Sequence, residues 1–418
     1  MKRVLMIAYH YPPCFGSSGV LRTLKFSKYL AAAGWNPIVL TVHPRAYPET
    51  SPAQLREIPA DVPVKRAWAV DAARHLAIRG RHLRRLALPD RWASWWLGGV
   101  PAGLRLVRQY RPLALWSTYP TPTAHRIGAT LQRLTGLPWV ADFRDSMTED
   151  HYPRDPVLRR AYLSIERRTV ARAARLVFTA ESTRAMYLKR YSTLSGGQCL
   201  VIPNGYDEAD FAGLDLVAAA PSAAADRPLT LVHAGVIYPE ERDPRPFFRA
   251  LAALRRSGGL QPGSLRVDLR APGSEEDYRA LIAELGIQEI VRLLPALPYR
   301  QALEECARAD GLLLMQGPSC NHQIPAKAYE YLRLRRPILA LTSHEGDTAA
   351  LLRDTGGATI VDLMDEGALR RALPDFLAAV RTGSHPPVTE HRVRTYARHD
   401  QAHQLAACLD EMIMTGPA

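Results

Sequence analysis

Short apolar runs alternate with longer stretches of helical periodicity through most of the chain. In the first half the runs fall at residues 4–8, 38–42, 113–117, 139–142, 176–179 and 200–203. After an Ala/Pro/Ser-rich stretch at 217–228 the pattern restarts, with runs at 229–234, 265–270, 290–294, 311–315, 337–341 and 358–361. Strands alternating with helices read as parallel sheets covered on both faces. The economical reading is an α/β chain of two doubly wound, Rossmann-like domains of similar size. The pattern predicts a first domain over 1–204, a linker over 205–228, a second domain over 229–391 and a C-terminal helix within 392–418. That tail reads as one amphipathic helix from about 392 to 414, with Ala397, Leu405, Cys408 and Met412 as its apolar positions.

Composition narrows the function classes. At 418 residues, 47% hydrophobic and 23% charged, the chain has material for two cores and is too apolar for a disordered or fibrous protein. Its net charge of +13 favours an acidic partner: a phosphorylated small molecule, an anionic membrane or a nucleic acid. The arginines are spread along the chain and no nucleic-acid motif appears, so nucleic acid is not expected. Five widely spaced cysteines with no Cys-x-x-Cys suit a reducing cytoplasm. The opening apolar run stops at Tyr9 and is too short for a signal core, and no segment approaches the length of a membrane span.

Candidate chemistry sits in loops that follow strands. The first strand leads through Pro12, Pro13, Cys14, Phe15, Gly16, Ser17, Ser18 and Gly19 into a helix predicted over 20–33. Its glycines allow backbone N–H groups to approach an anion at a helix N-terminus, and a purely structural turn is the alternative. In that helix Val20, Leu24, Ser27 and Ala31 share one face, and Arg22, Lys25 and Tyr29 the other. Asp142, Phe143, Arg144 and Asp145 end a middle strand, where two carboxylates and an arginine can orient a sugar hydroxyl or move a proton. A helix cap with an ion pair explains the same residues.

In the second domain the strand over 229–234 ends at Gly235, in a loop carrying Arg242, which can clamp a phosphate. Further on, Asn321, His322, Gln323, Ile324 and Pro325 lead into a helix with Lys327 and Glu330 on one face. Lys327 can supply charge to an anion and Glu330 can accept ribose hydroxyls; a surface salt bridge between them is the plain alternative.

Taken in order, these segments resemble the glycosyltransferases of family 4, with the GT-B fold. The opening Tyr9-His-Tyr-Pro-Pro-Cys-Phe-Gly-Ser-Ser-Gly-Val-Leu-Arg22 resembles that family's N-terminal glycine loop. Trp139-Val-Ala-Asp-Phe-Arg-Asp145 is similar to a block found in a bacterial polysaccharide-type subset, and Val201-Ile-Pro-Asn-Gly-Tyr-Asp207 to the segment closing the first domain. Ile324-Pro-Ala-Lys-Ala-Tyr-Glu-Tyr-Leu332 followed by Pro337-Ile-Leu-Ala-Leu341 resembles the donor-site helix and strand.

The resemblance implies two domains facing across a cleft, a final helix crossing back to the first domain, and a retaining hexosyltransferase that uses a nucleotide diphosphate-sugar. The acceptor would be a glycan or lipid-linked molecule in cell-surface polysaccharide or glycoconjugate synthesis. It implies donor binding by Gly16, Ser17, Ser18, Gly19, Gly235, Arg242, His322, Lys327 and Glu330, and catalysis by Asp142, Arg144, Asp145, Arg242 and Lys327. No metal is expected, since no Asp-x-Asp pair stands at a strand end, and no cofactor beyond the nucleotide-sugar substrate. Three positions depart from the family. His322 stands eight residues before Glu330 where a second Glu is usual, Val236 stands where an Arg often follows the glycine, and Leu334-Arg335-Arg336 lacks the Gly before Pro337. His322 and Val236 motivate the alternative, a catalytically silent GT-B-fold subunit that recruits a partner enzyme.

One segment suggests where an acceptor is met. Residues 74–111 hold nine arginines and one acid, Asp90, around Trp92, Trp95, Trp96 and Leu97. Arginines beside exposed tryptophans suit an anionic headgroup layer, which would make the protein peripheral on the inner face of the cell membrane. Tryptophans filling the first core, with the arginines merely solvated, is the competing reading.

Overall fold

The structure, a computed structural model, describes residues 2–15, 19–77, 83–150, 152–214 and 227–414. The chain divides into two units, one of residues 1–204 with 398–418 and one of 205–397.

In the first unit the strands are β1 (Lys2–Ile7), β2 (Trp35–Val42), β3 (Val64–Ala67), β4 (Ala114–Thr118), β5 (Trp139–Arg144), β6 (Arg175–Phe178) and β7 (Cys199–Val201). They form one parallel sheet in the order β3-β2-β1-β4-β5-β6-β7. Central strands covered on both faces must be apolar throughout, and Val4 to Ala8 are all fully buried. The second unit holds β8 (Leu229–Ala234), β9 (Leu265–Arg270), β10 (Val291–Leu294), β11 (Gly311–Gln316), β12 (Ile338–Thr342) and β13 (Ala358–Val361). Their order is β10-β9-β8-β11-β12-β13, again all parallel. In each sheet the strand order therefore reverses beside the first strand, between β1 and β4 and between β8 and β11, and ligands of such sheets bind outside the strand ends there.

Several sequence expectations need correction. The edge strand β3 was not expected; it alternates half-buried Val64 and Arg66 with exposed Lys65, a weak apolar signal. The helix after β1 spans Gly19–Tyr29 and not 20–33, and its supposed polar face is buried at Arg22 and Lys25. The start of the expected linker belongs to the second unit, where Tyr206 and Phe211 join the core and Asp207 caps the short helix Glu208–Phe211. Residues 215–226 lie outside the described residues. The expected single tail helix is two. Glu390–Arg394 belongs to the second unit, and Arg398–Met414 to the first, whose core takes in its Ala402, Leu405, Cys408, Leu409 and Met412. Trp35 Nε1 donates to Asp410 Oδ1 at 2.8 Å, tying that helix to the start of β2.

The tryptophans of 74–111 are core residues, against the exposed-tryptophan reading. Trp95 is fully buried, and Trp92 and Trp96 are half-buried against the same core with Nε1 donating to the Ala46 carbonyl and to Thr130 Oγ1. Leu97 is exposed. Arg74 and Arg91 are committed to the Tyr47 carbonyl and to Asp71, and Arg84 pairs with Asp155. Arg79 and Arg81 lie outside the described residues. Asp90 is a local staple: its carboxylate accepts from Trp92 N, Thr123 N and Thr123 Oγ1. Among the described residues no helix is long and apolar enough to cross a membrane.

Candidate functional site

In the first unit, β5 carries Asp142 to a fully buried position. Its carboxylate accepts from Arg22 Nε at 2.7 Å, Arg22 Nη2 at 3.1 Å and Thr118 Oγ1 at 3.2 Å. Neither Arg22 nor Asp142 has any side-chain exposure. Arg22 also donates to the Ile202 and Pro203 carbonyls, both at 3.0 Å. Asp142 thus offers no free carboxylate to a sugar, and the catalytic reading of it gives way to a positioning one: it joins the first helix, β5 and the segment after β7.

A register shift against β6 falls between Asp142 and Arg144, and Arg144 has a left-handed φ of 59°. That conformation is costly for a side chain carrying Cβ and is found where a loop aims a functional group. Arg144 is nearly buried, and its Nη1 donates to the Gly19 carbonyl at 3.1 Å. Partial burial, with the Arg144 cation nearby, holds His10 neutral, its pKa pushed down to about 3. Asp145 is half-buried, and its charge favours the Arg144 cation. The structure therefore gathers Gly19, Arg144 and Asp145, and adds His10, which the sequence reading missed. Gly16, Ser17 and Ser18 lie outside the described residues.

The second unit's residues gather where its sheet reverses. Gly235 follows β8 with a φ of 105°, which favours glycine, and a Cβ there would lie 3.4 Å from Lys327 Nζ. Its loop carries Arg242, whose Nε donates to Gln316 Oε1 at 3.1 Å at the end of β11. The backbone closes the same link: Gly317 N donates to the Glu241 carbonyl at 2.7 Å, and a Cβ on Gly317 would collide with that carbonyl. Arg242 is thereby fixed on the reversal point itself.

Lys327 reaches the same place from the helix Ala326–Leu334, with Nζ 2.9 Å from His233 Nε2. On its other side His233 Nδ1 lies 2.8 Å from the Leu313 carbonyl, which can only accept. Nδ1 therefore carries the proton, and Nε2 accepts from the lysine. Burial and the Lys327 charge hold His233 neutral. Burial, then Arg242, push the Lys327 amine down to about 7, against a nearby Glu330 that works the other way. Glu330, one turn on, accepts from Tyr299 Oη at 2.7 Å. His322 lies before the helix, half-buried, with Nε2 3.4 Å from Gln323 Nε2. His233, Gln316 and Tyr299 escaped the sequence reading. The one available signal was a histidine near the end of an otherwise apolar strand. Among the described residues no three or more His, Cys, Asp or Glu side chains are grouped as metal ligands.

Comparison with known proteins bears on the first unit and on the fold. A family model described as a glycosyl transferase 4-like domain matches residues 19–205. Beyond that segment, the chain shares the two-domain α/β fold of solved GT-B glycosyltransferases. Sucrose-phosphate synthase from Thermosynechococcus elongatus has the same fold, with a TM-score of 0.65 at 16% identity, covering 99% of this chain and 100% of that one. Anabaena HepE in complex with UDP and glucose superposes with a TM-score of 0.65 at 14% identity, covering 98% and 100%. WaaG, a glycosyltransferase involved in lipopolysaccharide biosynthesis, gives 0.62 at 14% identity, covering 97% and 99%. No curated protein sequence matches the chain.

The lysine makes anion binding at this site pH-sensitive. An anion bound at Lys327 raises its pKa, so binding above about pH 7 takes up a proton. Affinity for a diphosphate ligand that does not itself titrate in this range is expected to fall as pH rises from 7 to 9, by up to about tenfold per unit. Calorimetry in two buffers of different ionisation enthalpy measures the proton uptake directly, and Lys327→Met should abolish it. In the free protein the sign is opposite. The unfolded chain holds the proton more tightly between about 7 and the ordinary 10.5, so the lysine's contribution to stability grows as pH rises through that window.

Proposed function

We propose that the second unit binds a nucleotide diphosphate-sugar at Gly235, Arg242, Lys327 and Glu330, and that the protein transfers the hexosyl group, with retention, to a glycan or lipid-linked acceptor for cell-surface polysaccharide or glycoconjugate synthesis. The observation that carries the reading is the meeting of Lys327 and Arg242 beside Gly235 where β8 and β11 diverge. Two cations there, one of them half-buried beside a neutral imidazole, suit a diphosphate, and Glu330 suits the ribose hydroxyls. A structure of the same fold, HepE, is in complex with UDP and glucose, which agrees with such a donor.

In this mechanism the anomeric C–O bond breaks and its electron pair leaves on the diphosphate. Arg242 and Lys327 meet the growing charge, and no metal is invoked. When the acceptor hydroxyl attacks from the face the diphosphate leaves, the departing oxygen is the nearest base for the hydroxyl proton, and the configuration is kept. His10, Arg144 and Asp145 of the first unit are the groups proposed to contact the acceptor or the transferred sugar.

A thermal-shift screen of uridine, guanosine and thymidine diphosphate sugars tests the reading, because a bound donor raises stability in proportion to its affinity. Glu330→Ala should cost roughly 1–3 kcal/mol of affinity for the donor that binds, since a ribose loses charged hydrogen bonds. An unchanged affinity removes Glu330 from the site. Donor hydrolysis by the purified chain separates the transferase from a silent binding subunit, and proton magnetic resonance of the first product reads the anomeric configuration.

A further inference from the structure

The first unit carries a hollow lined by arginines between two of its helices. Helices Pro122–Thr135 and Pro156–Arg172 enclose a hollow of about 190 Å³ with Trp96 and Thr130 on its floor. Arg126 and Arg133 stand on one wall, and Arg168 and Arg172 on the other. A neighbouring hollow shares Arg168 and adds Arg160 and Arg167. Six guanidinium groups thus crowd one face, and no carboxylate lies within 4.0 Å of any of them among the described residues. Their hydrogen bonds go to neutral groups: Arg168 to Ser164 Oγ at 2.8 Å and Arg172 to Gln132 Oε1 at 3.5 Å. Arg126 lies over the Trp96 ring, 4.7 Å from its centroid. Asp90, the acid behind Arg126, is already committed to Thr123 and Trp92.

This arrangement is unlike the protein's other arginines, many of which pair with a carboxylate. Burial and the charge of Arg168 disfavour the Arg126 cation, Asp90 offsets them only in part, and an added anion would relieve the remainder. A single carboxylate would neutralise one of the four guanidinium groups around the first hollow. A phosphate monoester or pyrophosphate brings two or more charges and enough oxygens for several guanidinium forks. The hollow is smaller than the roughly 300–1,000 Å³ of pockets that hold whole small molecules, and suits a phosphate group with the rest of its ligand outside.

We propose that Arg126, Arg133, Arg168 and Arg172 form a phosphate-binding site on the first unit, separate from the donor site, that takes the phosphate of a lipid headgroup or of a soluble phosphorylated molecule. The test titrates inorganic pyrophosphate calorimetrically into the full chain at low ionic strength, with Lys327→Met present to silence the donor site. Adding Arg133→Glu and Arg168→Glu should weaken binding at least tenfold. Adding Arg256→Glu and Arg279→Glu, exposed arginines of the second unit, changes net charge equally and should leave it intact. Both pairs lie at exposed positions, and matching melting temperatures verify that the folds are preserved. Equal pyrophosphate affinity in the two double variants, or none in the parent, overturns the proposal. Sedimentation with phosphatidylglycerol and phosphatidylcholine vesicles then separates the sources. Binding that needs the anionic lipid and is displaced by pyrophosphate assigns the site to a headgroup, and pyrophosphate binding without vesicle binding assigns it to a soluble phosphate.

Discussion

Replacing Lys327 with methionine is expected to weaken nucleotide-sugar binding by roughly 10- to 150-fold, the equivalent of about 1.5–3 kcal/mol for a charged hydrogen bond, and to slow transfer by at least as much. The larger effect on rate follows from where charge develops: the diphosphate gains negative charge as the anomeric bond breaks, so a cation beside it matters more in the transition state than in the bound donor. Methionine keeps the length and packing of the side chain and leaves His233 Nε2 without its donor. His233 is already neutral with its proton on Nδ1, so the fold around β8 should persist. Lys327→Arg is not a conservative control, because a guanidinium has neither the shape to meet His233 at 2.9 Å nor the freedom to shed its proton near pH 7. Kinetics with the best donor from the thermal screen, read as kcat and KM separately, checks the prediction. A variant with raised KM and wild-type kcat would show that Lys327 holds the donor equally in the ground and transition states.

Asp142→Ala is expected to destabilise the first unit by about 3–5 kcal/mol, because it strands the wholly buried Arg22 cation. For a unit of this size that lowers the melting temperature by something on the order of 10 °C, measured by calorimetry. Arg22→Met with Asp142→Leu should recover most of the loss, since two apolar groups need no mutual neutralisation. The pair of experiments separates positioning from chemistry. Were Asp142 a catalytic carboxylate, the single variant would lose activity with its melting temperature unchanged.

The sequence carries this fold legibly where burial on both faces forces unbroken apolar runs, as in β1, β11 and β12, and illegibly where one face is open, as in β3. Helix faces misled where charge is satisfied by distant partners. Arg22 reads as a solvated residue because the acid that pairs with it lies 120 positions on, in β5. The same limit applies to the proposed donor region. Gly235, Arg242, Lys327 and Glu330 follow from local signals of turn, loop and helix, whereas the His233 contact joins residues 94 apart that only the sheet brings together. Trp92, Trp95 and Trp96 show the reverse ambiguity, since clustered aromatic residues suit a membrane or a core equally until Ala46, Thr130 and Tyr9 are seen around them.

The division of the chain has a consequence for biosynthesis. The second unit is an insertion in the first, which takes its last helix, Arg398–Met414, only after residues 205–397 have been made. A nascent chain that has emerged through residue 204 lacks the side chains of Ala402, Leu405, Cys408, Leu409 and Met412 that complete its core, and Trp35 lacks Asp410. The N-terminal unit therefore begins folding first and finishes last, holding an uncovered apolar groove beside its first helix throughout translation of the rest. A stop codon or proteolytic cut near residue 397 would strike the unit farthest away in sequence and leave the adjoining one whole.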